Sequence, residues 1–288
     1  MAYWEWGDPE NDNVLLCVHG LTRSGRDFDE LAKRLLMQYR VVCPDVVGRG
    51  KSDWLVNPVG YSVPQYVADM LTLIARLNPA RLDWVGTSMG GLIALGLAGT
   101  LAMSAAQRPN RGAFGLAPER TVRFNKLVLN DVGPELNIDG LDRIVDYVGT
   151  SPRFGTFAQA VEYVRSISGG FGQHTQAQWE QLTRNVFNQQ DGQWIKHYDV
   201  RMAEPMALQN EAAVKASELL LWAAYQSITA PILIIRGAQS DLLSVDAARA
   251  MLARNPRAKM VEYPDVGHAP TLQVDSQIEP IRQFLLAT

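Results

Sequence analysis

Short apolar runs decide what this chain can fold into. Residues 14–18, 40–43, 82–85, 126–130, 231–236 and 258–263 are of strand length and largely free of polar alternation. Runs that are apolar on both faces suit parallel strands covered by helices on each side. Between them, 27–38 and 65–77 read as helices. In the second, Val67, Met70, Leu71, Ile74 and Leu77 form one stripe, and Asn78-Pro79 ends it. Strands alternating with helices predict an α/β fold with a mainly parallel central sheet.

One uncharged stretch, 84–107, is long enough to span a membrane. It carries Gly86, Gly90, Gly91, Gly96 and Gly99 with several Ser and Thr. It reads as a buried strand followed by a buried helix. The middle of the chain breaks the rhythm. From 133 to 225 helical patterns prevail without a convincing strand, aromatic residues are frequent, and Gly169-Gly170 and Asp191-Gly192 punctuate the run. A helical lid over 133–226 is expected, inserted into a core made of 1–132 and 227–288. The Pro/Gly/Arg-rich segment 107–123 reads as an exposed loop.

Gly86-Thr87-Ser88-Met89-Gly90 matches G-x-S-x-G, preceded by a strand and followed by a Gly/Ala-rich helix. The glycines allow a sharp strand-to-helix turn around a strained serine, the arrangement that presents a nucleophile. A serine hydroxyl needs a base to take its proton. His268, in PDVGHAP after the last apolar run, is the best placed; His174 and His197 fall in the insertion and His19 reads as a prop for its own loop. His19-Gly20-Leu21 closes an earlier strand, so the backbone N–H groups of Leu21 and Met89 can lie side by side as an oxyanion hole. An imidazole base works best with a carboxylate on its other nitrogen. Two acids lie just beyond strands, Asp131 and Asp241, and both give the chain order serine, acid, histidine.

These residues resemble the α/β-hydrolase superfamily over essentially the whole chain. The resemblance rests on HGL at 19–21, DVVGRGKSD at 45–53, GTSMGG at 86–91, GAQSD at 237–241 and VGHAP at 266–270. It implies an α/β-hydrolase fold with helices on both sheet faces and the lid inserted after the family's sixth strand. It also implies Ser88 as nucleophile, His268 as base and the G-x-x-x-D aspartate, Asp241, as preferred acid over Asp131. LNDVGPE at 129–135, before the lid, is similar to small bacterial esterase-like hydrolases. Two departures stand out. Val47 sits where the family often has arginine, with Arg49 after the first glycine; and Tyr3–Trp6 is similar to the family's second strand, leaving the first absent or short.

The remaining arithmetic excludes other classes. Lys plus Arg total 27 against 30 Asp plus Glu, with no basic block to meet nucleic acid. Two cysteines, Cys17 and Cys43, read as buried free thiols, and four scattered histidines show no zinc spacing, so neither metal nor cofactor is expected. The acidic N-terminal segment lacks the plan of a signal peptide, which points to the cytoplasm and no membrane. The resulting expectation is a serine hydrolase of small, partly apolar carboxylic esters. The alternatives with the same triad are an enol-lactone hydrolase or a carbon–carbon bond hydrolase, and a small-molecule receptor is the different class. Arg153, Arg165 or Arg201 facing the serine would favour an anionic substrate.

Overall fold

The alternating pattern of β2 (Asn13–Val18) shows how the sheet organises the molecule. Val14, Leu16 and Val18 point into one core, while Leu15 and Cys17 point into another on the opposite face. β9 (Ile232–Gly237) divides likewise, with Ile232 and Ile234 on one side and Leu233 and Ile235 on the other. Such strands must be covered on both faces, as their near-continuous apolar character implies. The computed structural model describes residues 1–107, 122–135, 137–208 and 211–287. The segment expected as an exposed loop lies outside the described residues except for its ends.

The main sheet has seven strands in the order β1-β3-β2-β4-β5-β9-β10. The others are β1 (Tyr3–Trp6), β3 (Arg40–Pro44), β4 (Arg81–Thr87), β5 (Phe124–Asn130) and β10 (Ala258–Tyr263). All pair in parallel except β1, which runs antiparallel along β3. α1 (Asp29–Leu35) and α10 (Asp275–Leu286) cover one face. α2 (Val63–Leu77), α3 (Met89–Gln107) and α9 (Val245–Arg254) cover the other. The expected helical stripe holds in α2, where Val67, Met70, Ile74 and Leu77 are buried. α3 is apolar and long enough to cross a membrane, yet Ile93, Ala94, Leu95 and Leu97 are fully covered between the sheet, α2 and a later helix.

The insertion follows β5 and differs from its purely helical expectation. It carries α4 (Ile138–Val148), α5 (Phe157–Ile167), α6 (Gln176–Arg184), α7 (Ala203–Ala207) and α8 (Glu211–Ser227). It also contains a three-stranded antiparallel sheet of β6 (Arg153–Phe154), β7 (Phe187–Gln190) and β8 (Gln193–Lys196). These strands are too short and polar to show in the hydropathy pattern. The Asp191-Gly192 punctuation is their hairpin turn, with φ of 51° and 76° at its two residues. Two positive φ angles are what a two-residue hairpin turn of matching twist demands. α8 closes the insertion by packing on α3, so this helix lies against the core.

The turn from β4 to α3 is the tightest packing in the fold. A Cβ on Gly90 would collide with the carbonyl oxygen of Val18, and one on Gly86 would reach the backbone of Gly90 and Gly91. Gly90→Ala should therefore cost about 2 kcal/mol or more, as overpacking does in a rigid core. A thermal melt that leaves the midpoint unchanged would contradict the close approach of β2 to this turn.

Candidate active site

Ser88 occupies the turn between β4 and α3 with φ of 51°, a left-handed conformation that a non-glycine residue adopts only when its surroundings enforce it. Here the enforcement is visible. The Ser88 N–H donates to Asn130 O at 2.9 Å, and the Ser88 carbonyl accepts from Gly91 N at 2.8 Å. Its hydroxyl lies 2.9 Å from Nε2 of His268. The histidine comes from the loop after β10, and its Nδ1 lies 2.7 Å from Oδ2 of Asp131. Since Asp131 is wholly buried, its carboxylate needs donors. Gly237 N at 2.9 Å and Ser240 Oγ at 2.6 Å supply them.

This corrects the preference for Asp241. The structure brings Ser88, His268 and Asp131 together and leaves Asp241 outside. Asp131 sits at the end of β5, next to β4 in the sheet, with φ of 54° and its N–H bonded to Ile235 O at 2.8 Å. That backbone turns its side chain under the imidazole. Asp241 is part-exposed and faces α4, where Arg143 grips both carboxylate oxygens through Nε and Nη2. Partial burial pushes the Asp241 pKa up, but hydrogen bonds and charge from Arg143 outweigh it and hold the group low. In the GAQSD segment the side chain that reaches the buried acid is Ser240, as a donor. Arg143, from the insertion, thus draws Asp241 away from the histidine, a pairing that only the fold reveals.

Asn130 is a further residue that sequence reasoning missed. Its Nδ2 donates to Thr87 Oγ1 at 3.0 Å and to Pro270 O at 2.8 Å. One buried amide thus ties the serine turn to the histidine loop. His19 is fully buried and its Nε2 accepts from Val46 N at 3.0 Å. Its Nδ1 must then carry the proton that meets Gly20 O at 2.7 Å. Burial lowers its pKa to about 4, so it is a neutral prop.

Met89 follows Ser88 as the first residue of α3, and Leu21 lies in the loop after β2. A Cβ on its neighbour Gly20 would lie 3.7 Å from the Ser88 Cβ. Arg49 braces this region. It is completely buried, donating from Nε to Leu21 O at 2.8 Å and from Nη1 to Val47 O at 2.7 Å and Tyr66 Oη at 2.9 Å. Its Nη2 lies 3.5 Å from Met89 Sδ. The displaced arginine of the 45–53 loop is thus a strut between the two expected oxyanion residues.

The insertion is sewn to this rim. Gly50 N donates to His197 O at 3.0 Å, and Asp199 N donates to Gly48 O at 2.8 Å. Tyr61 Oη reaches Asp199 Oδ2 at 2.7 Å. His174 bonds Thr271 Oγ1 at 2.8 Å and belongs to the same seam. Beside the histidine lies a narrow cleft lined by His268, Thr22, Arg143, Tyr147, Lys196 and Tyr198 among others. Phe171 and Arg23 line both this cleft and a second small cavity that touches His19, Thr87 and Ala269. Arg165 and Arg201 are engaged elsewhere, with Glu162 and Asp199, and Arg153 lies in β6. The cations at the cleft are Arg23, Arg143 and Lys196. Burial lowers the Lys196 ammonium to about 8.

A model of the alpha/beta hydrolase family matches residues 15–279. The chain belongs to that family. This hydrolase is 48% identical over 288 residues to the 3-hydroxybutyrate-oligomer hydrolase of Cupriavidus necator, covering 99% of this chain and 92% of that protein. It is 28% identical over 279 residues to the pimeloyl-[acyl-carrier protein] methyl ester esterase of Xanthomonas campestris pv. campestris, covering 95% of each. The structure of an alpha/beta hydrolase from Novosphingobium aromaticivorans superposes with a TM-score of 0.79 at 33% identity, over 98% of this chain and 92% of that one.

A fluorophosphonate should label Ser88 of the hydrolase, because it reacts with a serine that a base has activated. Asp131→Asn should slow labelling about a hundredfold or more, and Asp241→Asn by no more than about threefold. Labelling rates followed by mass spectrometry distinguish the two, and the reverse order would return the acid to Asp241.

Proposed function

We propose that this hydrolase cleaves carboxylic esters, specifically short oligoesters of 3-hydroxy acids, through an acyl-enzyme on Ser88. The carrying observation is His268 held between Ser88 Oγ at 2.9 Å and Asp131 Oδ2 at 2.7 Å beneath the cleft. Two readings of the geometry support the chemistry. Nδ1 of His268 donates to the buried aspartate, which leaves Nε2 free to accept the serine proton. The aspartate also stabilises the imidazolium that this transfer creates.

In the first step Ser88 Oγ attacks the ester carbonyl as its proton passes to His268. The N–H groups of Leu21 and Met89 stabilise the oxyanion, an effect worth about 10²–10³ in rate per donor. His268 then protonates the leaving alcohol, here the hydroxyl end of the departing unit. Water, deprotonated by the same histidine, releases the acyl group as the free acid. The cleft mixes apolar side chains with tyrosine hydroxyls, as suits an oligoester with alternating methyl-bearing and carbonyl carbons. The substrate of the 48% identical relative supports the same choice.

Incubation with the linear 3-hydroxybutyrate dimer should release monomer, and Ser88→Ala should abolish that release. No turnover of the dimer or of p-nitrophenyl butyrate would refute the ester reading. Arg49→Lys should lower kcat by about 10–100-fold with little change in KM, since a lysine cannot hold Leu21, Val47 and Tyr66 in one fork. An unchanged kcat would remove Arg49 from oxyanion positioning.

A further inference from the structure

The cleft carries a charge imbalance that ester hydrolysis does not need. Arg23 is neutralised by Asp27, which it meets through Nε at 2.6 Å and Nη2 at 2.7 Å. Arg143 is neutralised by Asp241. Lys196 differs. Its Nζ donates to Tyr147 O at 2.9 Å, Thr150 O at 3.0 Å and Thr150 Oγ1 at 3.3 Å, all neutral oxygens. Among the described residues no carboxylate pairs with it. It lies 5.4 Å and 5.1 Å from the ring centres of Tyr163 and Tyr198, so its charge is buried against aromatic faces.

Tyr198 supplies the second, independent observation. It is 2% exposed, it lines the same cleft, and its hydroxyl has no hydrogen-bond partner among the described residues. A buried donor left unpaired is costly, so an acceptor that reaches this hydroxyl gains a full hydrogen bond. Among the described residues no carboxylate side chain lines the cleft to compete for either group.

We propose that Tyr198 and Lys196 form a subsite for the free carboxylate of the substrate, so that acid-ended oligoesters are bound in preference to their neutral esters. The proposal rests on the ester reading for its substrate class but not for its binding chemistry. The Tyr198 hydroxyl donates directly to the carboxylate. Lys196, with all three N–H groups already bonded, acts through its uncompensated charge. The division assigns contact to the tyrosine and long-range attraction to the lysine.

The test is binding to the Ser88→Ala protein, measured by calorimetry with the 3-hydroxybutyrate dimer and its methyl ester. The acid should bind about tenfold more tightly than the methyl ester, and adding Tyr198→Phe should close most of that gap while keeping the ring over Lys196. Lys196→Met should narrow the gap as well, and Tyr198→Phe keeps the test decisive if that variant folds poorly. Equal binding of acid and methyl ester, or a gap that survives Tyr198→Phe, overturns the subsite. Turnover by the wild-type serine is read separately. An acid preference in binding without turnover supports the subsite and defeats the ester reading alone.

Discussion

Everything at the site depends on the parallel register of three central strands. Thr87 of β4 lies level with Asn130 of β5, which lies level with Ile235 of β9. The next residues, Ser88 and Asp131, leave the sheet with nearly the same left-handed backbone, φ of 51° and 54°. Two neighbouring strands therefore end in two functional side chains, with the histidine loop laid across them. The hydrogen bonds of Ser88 N to Asn130 O and of Asp131 N to Ile235 O hold these strained residues by extending the sheet one step beyond its strands. Strain of this kind persists only when the surrounding structure over-determines it, and here the sheet itself does so.

A second constraint joins core to insertion. Arg49 is a fully buried cation whose donors go mainly to oxygens: Leu21 O, Val47 O and Tyr66 Oη. Removing it would leave two part-buried carbonyls and the Tyr66 hydroxyl without their donor. The same loop bonds the insertion through Gly48 and Gly50, so the serine rim and the cleft roof share one support. Arg49 holds Leu21 and Met89 in place from within the core. Tyr198 and Lys196, both from the insertion, line the cleft.

Much of this was readable in the amino-acid sequence, because the central strands are apolar on both faces and the serine turn needs its glycines. All six apolar runs became strands of the main sheet. The three inserted strands did not show, since FNQQ and QWIK carry too little apolar contrast to separate from a loop. The acid was misjudged for a different reason. Asp131 and Asp241 both follow strands, and spacing alone cannot say which one a positive φ turns inward. That choice depends on Gly237 N and Ser240 Oγ gathering at Asp131, and on Arg143 drawing Asp241 away. Arg49 looked like a displaced family residue, and only the fold shows that its fork reaches Leu21.

The order of these residues along the chain has a consequence for biosynthesis. Ser88 and Asp131 emerge from the ribosome before the insertion, whereas His268 follows β10, the last strand of the sheet. A nascent chain thus carries its nucleophile and its acid while the whole insertion is made, without His268 to connect them. The Asn130 amide that ties Thr87 to Pro270 can close only when the histidine loop arrives. Nucleophilic reactivity is withheld until the sheet is complete, so a partly made molecule has the serine in place but leaves it no stronger than any other alcohol.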